Sequence, residues 1–359
     1  MIFTAAAAQF PEGDVLHWVH KLPGRNKGCK GIRTKCSDDM LWLPFAVYEY
    51  VTKSGDRAIL DKLIPYRIGE PLGDDMTDNF AVFYLSKERS SLYEHCLRAI
   101  IRAYRTGEHG LILIGSGDWN DSFDKVGIKG KGESVWLSMF LGRVAGDFAK
   151  ICESRKDYEI RDKLMNISEE LFSAVDSACF NGKWYIRGFY DDGSPLGDEG
   201  ADSCSIDLLC QAWASLSGMP DKNRVKTALI SAYERLFDEK NGVVKLFTPP
   251  FGENSKKTGY VNLYPEGMRE NGGQYTHAAV WFCTALFREG LIPQAERVLS
   301  ALLPSVKHRE GKGDIYKNEP YALSGDVYSA EFHNGRGGWS LYTGSAGWLL
   351  SLAKELDGK

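Results

Sequence analysis

Apolar residues recur at helical spacing along most of the chain. In the segment 90–105, for example, Leu92, Cys96 and Ile100 fall on one helical face. The same spacing predicts helices in the ranges 37–51, 58–64, 90–105, 134–153, 157–179, 203–216, 222–237, 276–289, 292–303 and 344–356. Only the segment 183–190 has the pattern of a strand or hairpin. The sequence therefore predicts paired helices joined by long loops.

This succession of helices favours an all-α fold with minor β-hairpins in its loops. No linker rich in proline or serine divides the sequence, so residues 1–359 are predicted to form a single domain. A toroid of paired helices would suit this length, and the loops at one end of such a toroid would line a cleft. That expectation is an architectural analogy, because helix pairs alone do not specify a toroid.

Composition and charge exclude several classes of protein. The formal net charge of -4 argues against nucleic acid as a partner, because there is no cationic field to hold phosphates. The longest apolar runs are far shorter than the roughly 20 residues of a membrane helix, and residues 1–10 lack the basic start of a signal peptide. The eight cysteines are scattered without a CxxC pair. Buried reduced thiols and a cytoplasmic location are therefore expected.

The densest candidate chemistry lies in a loop framed by glycines. Asp118 and Asp121 flank Trp119 and Asn120 there. An indole face stacks on a sugar ring, an amide binds hydroxyls, and a carboxyl beside an indole is partly desolvated, which suits a general acid. The alternative is an Asx turn, in which Asp118 or Asp121 binds backbone N–H groups.

A second cluster precedes the first predicted long helix. Arg33 and Lys35 lie just before the helix start, which is a natural place for an anion. Ser37 is a plausible N-cap, and capping alone would explain Asp38 and Asp39. The sequence leaves both interpretations open, with the capping one favoured.

A third cluster stands at the head of the helix predicted at 276–289. Glu270, Gln274 and His277 belong to a run that is more polar than a helix start needs. The excess of polar side chains favours a ligand.

A fourth cluster is the glycine-rich run 333–348. Thr343 and Gly344 lead into the last predicted helix, whose N-terminus would present N–H donors to an anion. The alternative is a tight loop whose glycines have positive φ. The run lacks the GK[ST] element of a Walker A loop.

His17 and His20 have HxxH spacing, but no third metal ligand follows nearby. A structural histidine pair is favoured over a metal site, and no metal ion is expected.

Eight segments together resemble glycoside hydrolase family 94, the inverting disaccharide and oligosaccharide phosphorylases. The likeness extends to the phosphorylase-type region of cyclic β-1,2-glucan synthases and to cellobiose phosphorylase-like proteins. The matching segments run nearly end to end, at 9–18, 32–44, 91–96, 117–121, 132–137, 270–277, 319–323 and 337–348. One such motif would be weak, whereas eight in this order are specific.

The resemblance implies an (α/α)6 barrel and the inverting phosphorolysis of β-1,2- or β-1,4-linked glucosides to α-glucose 1-phosphate. It implies that Asp121 protonates the glycosidic oxygen while inorganic phosphate attacks the anomeric carbon from the opposite face. Phosphate is already an anion, so no catalytic base is needed, unlike in an inverting hydrolase. No cofactor is expected.

The resemblance also assigns binding roles. The implied phosphate-binding residues are His277, Thr343 and Gly344, with Arg33 as a further candidate. The candidate substrate-binding residues are Trp119, Asn120, Asp38, Asp39, Glu270 and Gln274.

The chain also departs from the family's pattern. In the family, a β-sandwich, a helical linker and the first barrel helices precede the motif that begins here at Gln9, so the barrel is expected to lack about one helix pair. The basic stretch around Asn26 interrupts a family run rich in proline and glycine, and Ser122 and Phe123 replace other residues after Asp121. Exposed barrel flanks would favour a homodimer or a complementing N-terminal fragment.

Other functions stay open beside the phosphorylase. One is a catalytically silent, truncated carbohydrate-binding remnant or half of a split enzyme. The other is an inverting glycoside hydrolase on the same barrel.

Overall fold

The computed structural model describes residues 1–23, 28–73 and 75–358, so the basic stretch around Asn26 lies outside the described residues. The described part contains twelve α-helices and fourteen strands, most of the strands very short. The chain divides into two compact units, Met1–Ala174 and Val175–Lys359.

The helices of the first unit carry its core. They are α1 Ile2–Ala6, α2 Trp42–Ser54, α3 Leu92–Ala103, α4 Val135–Ser154 and α5 Tyr158–Ala178, whose last residues enter the second unit. Ser91 caps α3 by accepting a hydrogen bond from the Glu94 N–H at 3.2 Å. Ser134 caps α4 in the same way through the Leu137 N–H at 3.1 Å. These two caps define where the predicted helices begin.

An antiparallel sheet of four strands lies beside these helices. Its strands are β1 Leu16–Lys21, β2 Cys29–Thr34, β3 Leu63–Ile68 and β4 Asp78–Ser91, in the order β1-β2-β4-β3. One face buries Phe10, Leu16 and Phe83 in a small core, where the rings of Phe10 and Phe83 meet edge to face at 5.4 Å. The other face exposes Trp18 and Phe80, whose ring centroids lie 6.0 Å apart.

The sheet corrects the expectation that β structure is confined to minor hairpins. The segment 58–64 was predicted as a helix, but only Ala58–Asp61 is helical, as a 3-10 turn, and β3 follows. β4 alternates between its two faces, yet Phe80 and Val82 on one face are as apolar as Phe83 on the other. Because both faces are apolar, the alternation of polar and apolar residues that marks a strand is weak.

The second unit contains the remaining helices. They are α6 Leu208–Leu216, α7 Lys222–Leu236, α8 Thr276–Arg288, α9 Ile292–Leu302, α10 Pro304–Arg309, α11 Gly313–Tyr316 and α12 Thr343–Asp357. Every residue of α6 is buried, and Trp213 of α6 meets Trp281 of α8 edge to face at 5.2 Å. A helix that is apolar on all sides belongs in a core, so α6 and α8 form the centre of this unit.

Short strands connect the helices. In the first unit β5 Ile112–Leu113 pairs with β6 Glu133–Ser134. In the second unit the strands are β7 Gly188–Phe189, β8 Pro195–Leu196, β9 Ile206–Asp207, β10 Phe237–Asp238, β11 Val243–Val244, β12 Phe247–Thr248, β13 Gln274–Tyr275 and β14 Asp326–Val327. The strand predicted at 183–190 is reduced to β7, which pairs with β8.

All eight cysteines fall within the described residues, where each is buried and none forms a disulfide. This confirms the prediction of reduced, buried thiols. Among the described helices, none is both long enough and apolar enough to cross a membrane.

Candidate active site

The loop that carries Asp121 is held together by its own polar side chains. Asp118 accepts the Asn120 N–H at 3.0 Å, and Asn120 in turn accepts the Ser122 N–H at 3.2 Å. These are consecutive Asx turns, so the Asx-turn alternative is correct for Asp118, and Asn120 adds a second turn that was not predicted. Both side chains are buried, whereas the Asp121 side chain is 48% exposed. The loop therefore presents one of its two carboxyls to solvent.

Two side chains of the loop, those of Asn120 and Trp119, have properties that matter for a ligand. Nδ2 of Asn120 is buried and has no hydrogen-bond partner among the described residues. The indole of Trp119 is half-buried. Both were predicted to contact a sugar, and Asn120 has one amide hydrogen-bonding group left for that role.

The segment of the second cluster lies directly against this loop. The Ser37 hydroxyl lies 2.9 Å from the Ile114 carbonyl and 3.0 Å from the Gly117 carbonyl, and the Ser37 N–H donates to Gly117. The prediction that Ser37 caps the helix was wrong, because its hydroxyl is used to bind the loop. Two clusters far apart in sequence thus form one site in the first unit.

Asp38 and Asp39 do not cap the helix either. Neither residue makes a side-chain cap hydrogen bond at the 3-10 turn Asp39–Leu41 that precedes α2. Asp38 is buried and accepts the indole N–H of Trp42 at 2.9 Å. Burial, together with the neighbouring Asp39, raises the pKa of Asp38 well above its usual value. Asp38 is thereby favoured in its neutral form.

Asp39 binds a histidine that sequence reasoning had set aside. Nδ1 of His17 lies 3.0 and 2.9 Å from the two carboxylate oxygens of Asp39. Nε2 of His17 lies 3.6 Å from Oδ2 of Asp121. The hydrogen bond to Asp39 raises the pKa of His17 to about 9, with smaller contributions from the charges of Asp39 and Asp121. The HxxH spacing drew attention to His17 but pointed to the wrong partner.

His17, Cys36 and Asp121 each offer one possible metal ligand atom, and these atoms lie within 4.8 Å of one another. A metal ion would have to displace the protons of both the imidazole and the thiol. The raised pKa of His17 and the raised pKa of the buried Cys36 thiol oppose this. The arrangement favours a proton-bearing cluster, and the absence of a metal stays a prediction.

Arg33, a candidate phosphate ligand, is committed to the fold. Its side chain is 1% exposed, and its N–H groups donate to Asp14, Glu12 and the carbonyls of Gly69 and Glu70 at 2.6 to 3.2 Å. These five hydrogen bonds use all five N–H groups of a guanidinium. A phosphate would have to displace two carboxylates, which argues against Arg33 as a phosphate ligand.

In the second unit, three predicted phosphate ligands meet at the start of α12. A Cβ placed on Gly344 would lie 3.8 Å from Nδ1 of His277, which brings the first turns of α8 and α12 together. Thr343 is the first residue of α12, and no side chain caps that helix. Desolvation lowers the pKa of His277 to about 4, so the imidazole is neutral near pH 7. The structure thus places a neutral histidine beside uncapped helix N–H groups.

One further residue at this helix start was not singled out from the sequence. The Ser345 hydroxyl is fully buried and has no hydrogen-bond partner among the described residues. A serine in a glycine-rich run resembles ordinary loop composition, so nothing in the pattern distinguished it.

Glu270 and Gln274, predicted to bind substrate, differ in their availability. The Gln274 amide is buried, accepts the Val244 N–H at 2.9 Å and donates to the Thr276 hydroxyl at 3.2 Å. The Gln274 side chain thus connects β11 to α8, and this engagement argues against a contact with sugar. The Glu270 carboxyl lies 3.6 Å from Nε of Arg269, and burial raises its pKa.

Arg269 is a second residue that sequence reasoning missed. Its guanidinium lies 4.2 Å above the Trp339 ring and 5.3 Å from the Tyr264 ring. Arg269 directly precedes Glu270 of the third cluster, and this position could have marked it as a candidate site residue. A cation, a carboxyl and aromatic faces together suit a site for polyhydroxy compounds.

Residues 1–356 match the catalytic domain of the glycosyl hydrolase 94 superfamily. The chain belongs to glycoside hydrolase family 94. The resemblance inferred from the eight motifs is thereby confirmed.

Relatives of this family 94 chain include a protein named as a glucan synthase and others named as phosphorylases. A cyclic β-(1,2)-glucan synthase, NdvB, from Rhizobium meliloti (strain 1021) is 41% identical over 99% of this chain and 12% of its own length. A 3-O-β-D-glucopyranosyl-β-D-glucuronide phosphorylase from Paenibacillus borealis is 30% identical over 89% of this chain and 39% of its own length. An N,N'-diacetylchitobiose phosphorylase from Vibrio furnissii is 27% identical over 89% of this chain and 37% of its own length. The family 94 chain thus spans well under half the length of these relatives.

A solved structure shares the fold of this family 94 domain. The GH63 mannosylglycerate hydrolase from Thermus thermophilus, solved with glucose, matches with a TM-score of 0.59 at 12% identity. The match covers 98% of this chain and 86% of that one. At this identity the likeness concerns the helical fold alone.

Proposed function

We propose that this family 94 domain catalyses the inverting phosphorolysis of β-glucosides and releases α-glucose 1-phosphate. The observation that carries the proposal is the exposure of Asp121 on a loop whose other carboxyl, Asp118, is buried and bound internally. A carboxyl that its loop exposes to solvent suits the role of a general acid. The names of the phosphorylase relatives support the same reaction class.

Asp121 is the proposed general acid. Its proton goes to the glycosidic oxygen as the bond from that oxygen to the anomeric carbon breaks. An oxygen of hydrogen phosphate forms the new bond from the opposite face, which inverts the anomeric configuration. The proton carried by the phosphate can then return to Asp121, so no net proton is consumed.

The proposed phosphate site is the start of α12 with His277. The uncapped N–H groups near Thr343 and Gly344 carry the positive end of the helix dipole. The neutral imidazole of His277 adds a hydrogen-bond donor without a second charge. Neither the phosphate site nor the acid requires a cofactor.

The proposed sugar contacts are the indole of Trp119, the free amide group of Asn120 and the carboxyls of Asp39 and Glu270. The identity to a cyclic β-(1,2)-glucan synthase supports β-1,2 linkages, and β-1,4 linkages are the alternative. We also propose that the helices complete an (α/α)6 arrangement, which the likeness to the GH63 hydrolase supports.

Association with a second copy or with a complementing N-terminal fragment remains part of the proposal. An apolar groove of 580 Å³ beside α12 includes Leu303, Tyr321 and Leu350. Tyr321 is 81% exposed and Leu350 is 57% exposed. Burying such side chains would favour association. Light scattering of the purified chain, over a range of concentrations, would measure it.

The test is to incubate the chain with sophorose or cellobiose and inorganic phosphate. We expect phosphate-dependent release of α-glucose 1-phosphate, followed by ³¹P and ¹H NMR to assign the anomer. Asp121→Asn should abolish it, whereas Asp124→Asn, at the end of the same 3-10 turn, is the matched control. Glucose release without phosphate would indicate a hydrolase, and binding without turnover would indicate a silent domain.

A further inference from the structure

His17 stands at an irregularity in the sheet. Leu16 pairs with Arg33 and Trp18 pairs with Ile32, so His17 is the extra residue of a β-bulge between β1 and β2. A bulge turns a side chain away from the direction that regular alternation would give it. Here it lets His17 point toward Asp39 and Asp121 rather than follow the alternation of β1.

Asp39 determines how the imidazole is oriented. Both oxygens of its carboxylate lie within 3.0 Å of Nδ1, and the Thr34 hydroxyl lies 3.4 Å from the same carboxylate. With Nδ1 engaged, only Nε2 remains for other groups, and it faces Asp121. The His17 ring is 30% exposed and the Asp39 carboxyl 18%, so the pair is only partly screened by water.

We infer that His17 is a positioning residue for Asp121, oriented by Asp39 so that its Nε2–H faces the acid and stabilises the carboxylate that remains after Asp121 gives up its proton. The catalytic meaning of this inference rests on the proposed function. The electrostatic coupling between His17 and Asp121 does not depend on that function, and it can be measured separately.

Two of the four titratable groups around His17, Asp38 and Cys36, do not supply a competing charge. The four groups are Asp38 and Asp39 at the start of the 3-10 turn, Cys36 two residues after the end of β2, and Asp121 in the acid loop. Burial raises the pKa of Asp38 and that of the Cys36 thiol, which favours the neutral forms of both. The charged partners of the imidazolium are therefore Asp39 and Asp121.

The distance sets the size of the expected effect. An opposite charge within about 4 to 6 Å of a carboxyl favours its ionised form by roughly one to three pH units. Because the Asp121 side chain is 48% exposed, water screens the interaction. We therefore expect the low end, a shift of about one pH unit.

The first experiment is an NMR titration of the histidine side chains, with the His17 signal assigned from its loss in His17→Gln. In the wild-type chain, His17 should titrate near pH 9. In Asp121→Asn its midpoint should fall by about one pH unit, because the carboxylate that stabilises the imidazolium is gone. His20, on the same strand, is the internal control and should not respond. An unchanged His17 midpoint in Asp121→Asn overturns the inference whether or not the chain is active.

The second experiment measures kcat/KM for phosphorolysis against pH. Its high-pH limb reports loss of the proton from the general acid. In His17→Gln this limb should move to higher pH by about one unit, the same amount as in the NMR experiment, because coupling between two sites is reciprocal. His20→Gln is the matched control and should leave the limb in place. Phosphate titrates in the same range, but it does so identically for every variant.

The outcomes separate the two proposals. If Asp121→Asn retains phosphorolysis, the proposed function fails. If Asp121→Asn is inactive while His17→Gln lowers the rate equally at every pH, His17 is merely structural and the inference fails alone. Circular dichroism spectra of both variants, compared with that of the wild type, test whether the variants are folded.

Discussion

The Ser134 hydroxyl donates a hydrogen bond of 2.6 Å to Oδ2 of Asp118. The same hydroxyl accepts the Leu137 N–H at the start of α4. One serine therefore joins the buried carboxyl of the acid loop to the N-terminus of the longest buried helix of the first unit. The position of Asp121, three residues after Asp118, depends on this connection.

Ser134→Ala should lower the free energy of unfolding by about 2 to 3 kcal/mol, because it removes a helix cap and a hydrogen bond to a buried carboxylate. Ser91→Ala is the matched control, since Ser91 caps α3 without such a link. It should cost about 1 kcal/mol. Urea unfolding of both variants measures the difference, and equal losses would contradict the role given to Asp118.

Arg33→Met should destabilise the first unit by about 3 to 5 kcal/mol, because it leaves the carboxylate of Asp14 buried without its cation. Arg297→Met removes a surface pair with Glu239, in which both side chains are about 60% exposed, and should cost no more than about 1 kcal/mol. Chemical unfolding compares the two variants. A fully stable Arg33→Met that only binds phosphate poorly would restore Arg33 to the phosphate site.

Gly344→Ala should raise the KM for phosphate about tenfold, which corresponds to about 1.4 kcal/mol. The added methyl group would sit 3.8 Å from Nδ1 of His277, in the proposed phosphate site, at a distance the fold tolerates. Alanine also favours a helix over glycine, so lost stability would not explain weaker binding. Gly347→Ala, where a Cβ meets nothing within 4 Å, is the control on the same helix. Phosphate saturation curves should separate the variants; equal KM values would place the phosphate elsewhere.

His277 should make stability depend on pH. Desolvation lowers its pKa from 6.5 to about 4 in the folded state. Between these values the unfolded chain binds more protons, so stability falls as the pH is lowered from 7 toward 4. At pH 5 the wild type should have lost about 2 kcal/mol that His277→Gln retains, relative to pH 8. Urea unfolding at both pH values tests this, and parallel pH curves for the two proteins would contradict the burial of the imidazole.

The sequence predicted the long helices well. α3, α4, α5, α7, α8 and α9 begin and end within one or two residues of their predicted bounds. Their apolar residues repeat at helical spacing, and a single chain suffices to reveal that spacing. The helix predicted at 203–216 begins only at Leu208, because Cys204 has a positive φ of 48° and β9 follows it. That departure depends on pairing with β12, which local spacing does not encode.

The candidate site, like the helices, was predicted only in part from the sequence. Motif order indicated the family, which the match over residues 1–356 confirmed, and it marked Asp121, His277, Thr343 and Gly344 as residues of interest. The composition of the loop, taken without the family resemblance, did not distinguish Asp118 from Asp121, because both are aspartates in one loop. The difference lies in their contacts, since Ser134 and the Asn120 N–H use the first carboxyl while the second is half-exposed.

Residue types and their order therefore determined the helices, the family and the identity of the candidate acid. The tertiary structure decided the four-stranded sheet, the engagement of Arg33 and Gln274 by protein groups, and the presence of His17 beside Asp121. Each of these depends on side chains that are distant in sequence and adjacent in space. Burial and hydrogen-bond partners are properties of that adjacency, and no periodicity along the chain records them.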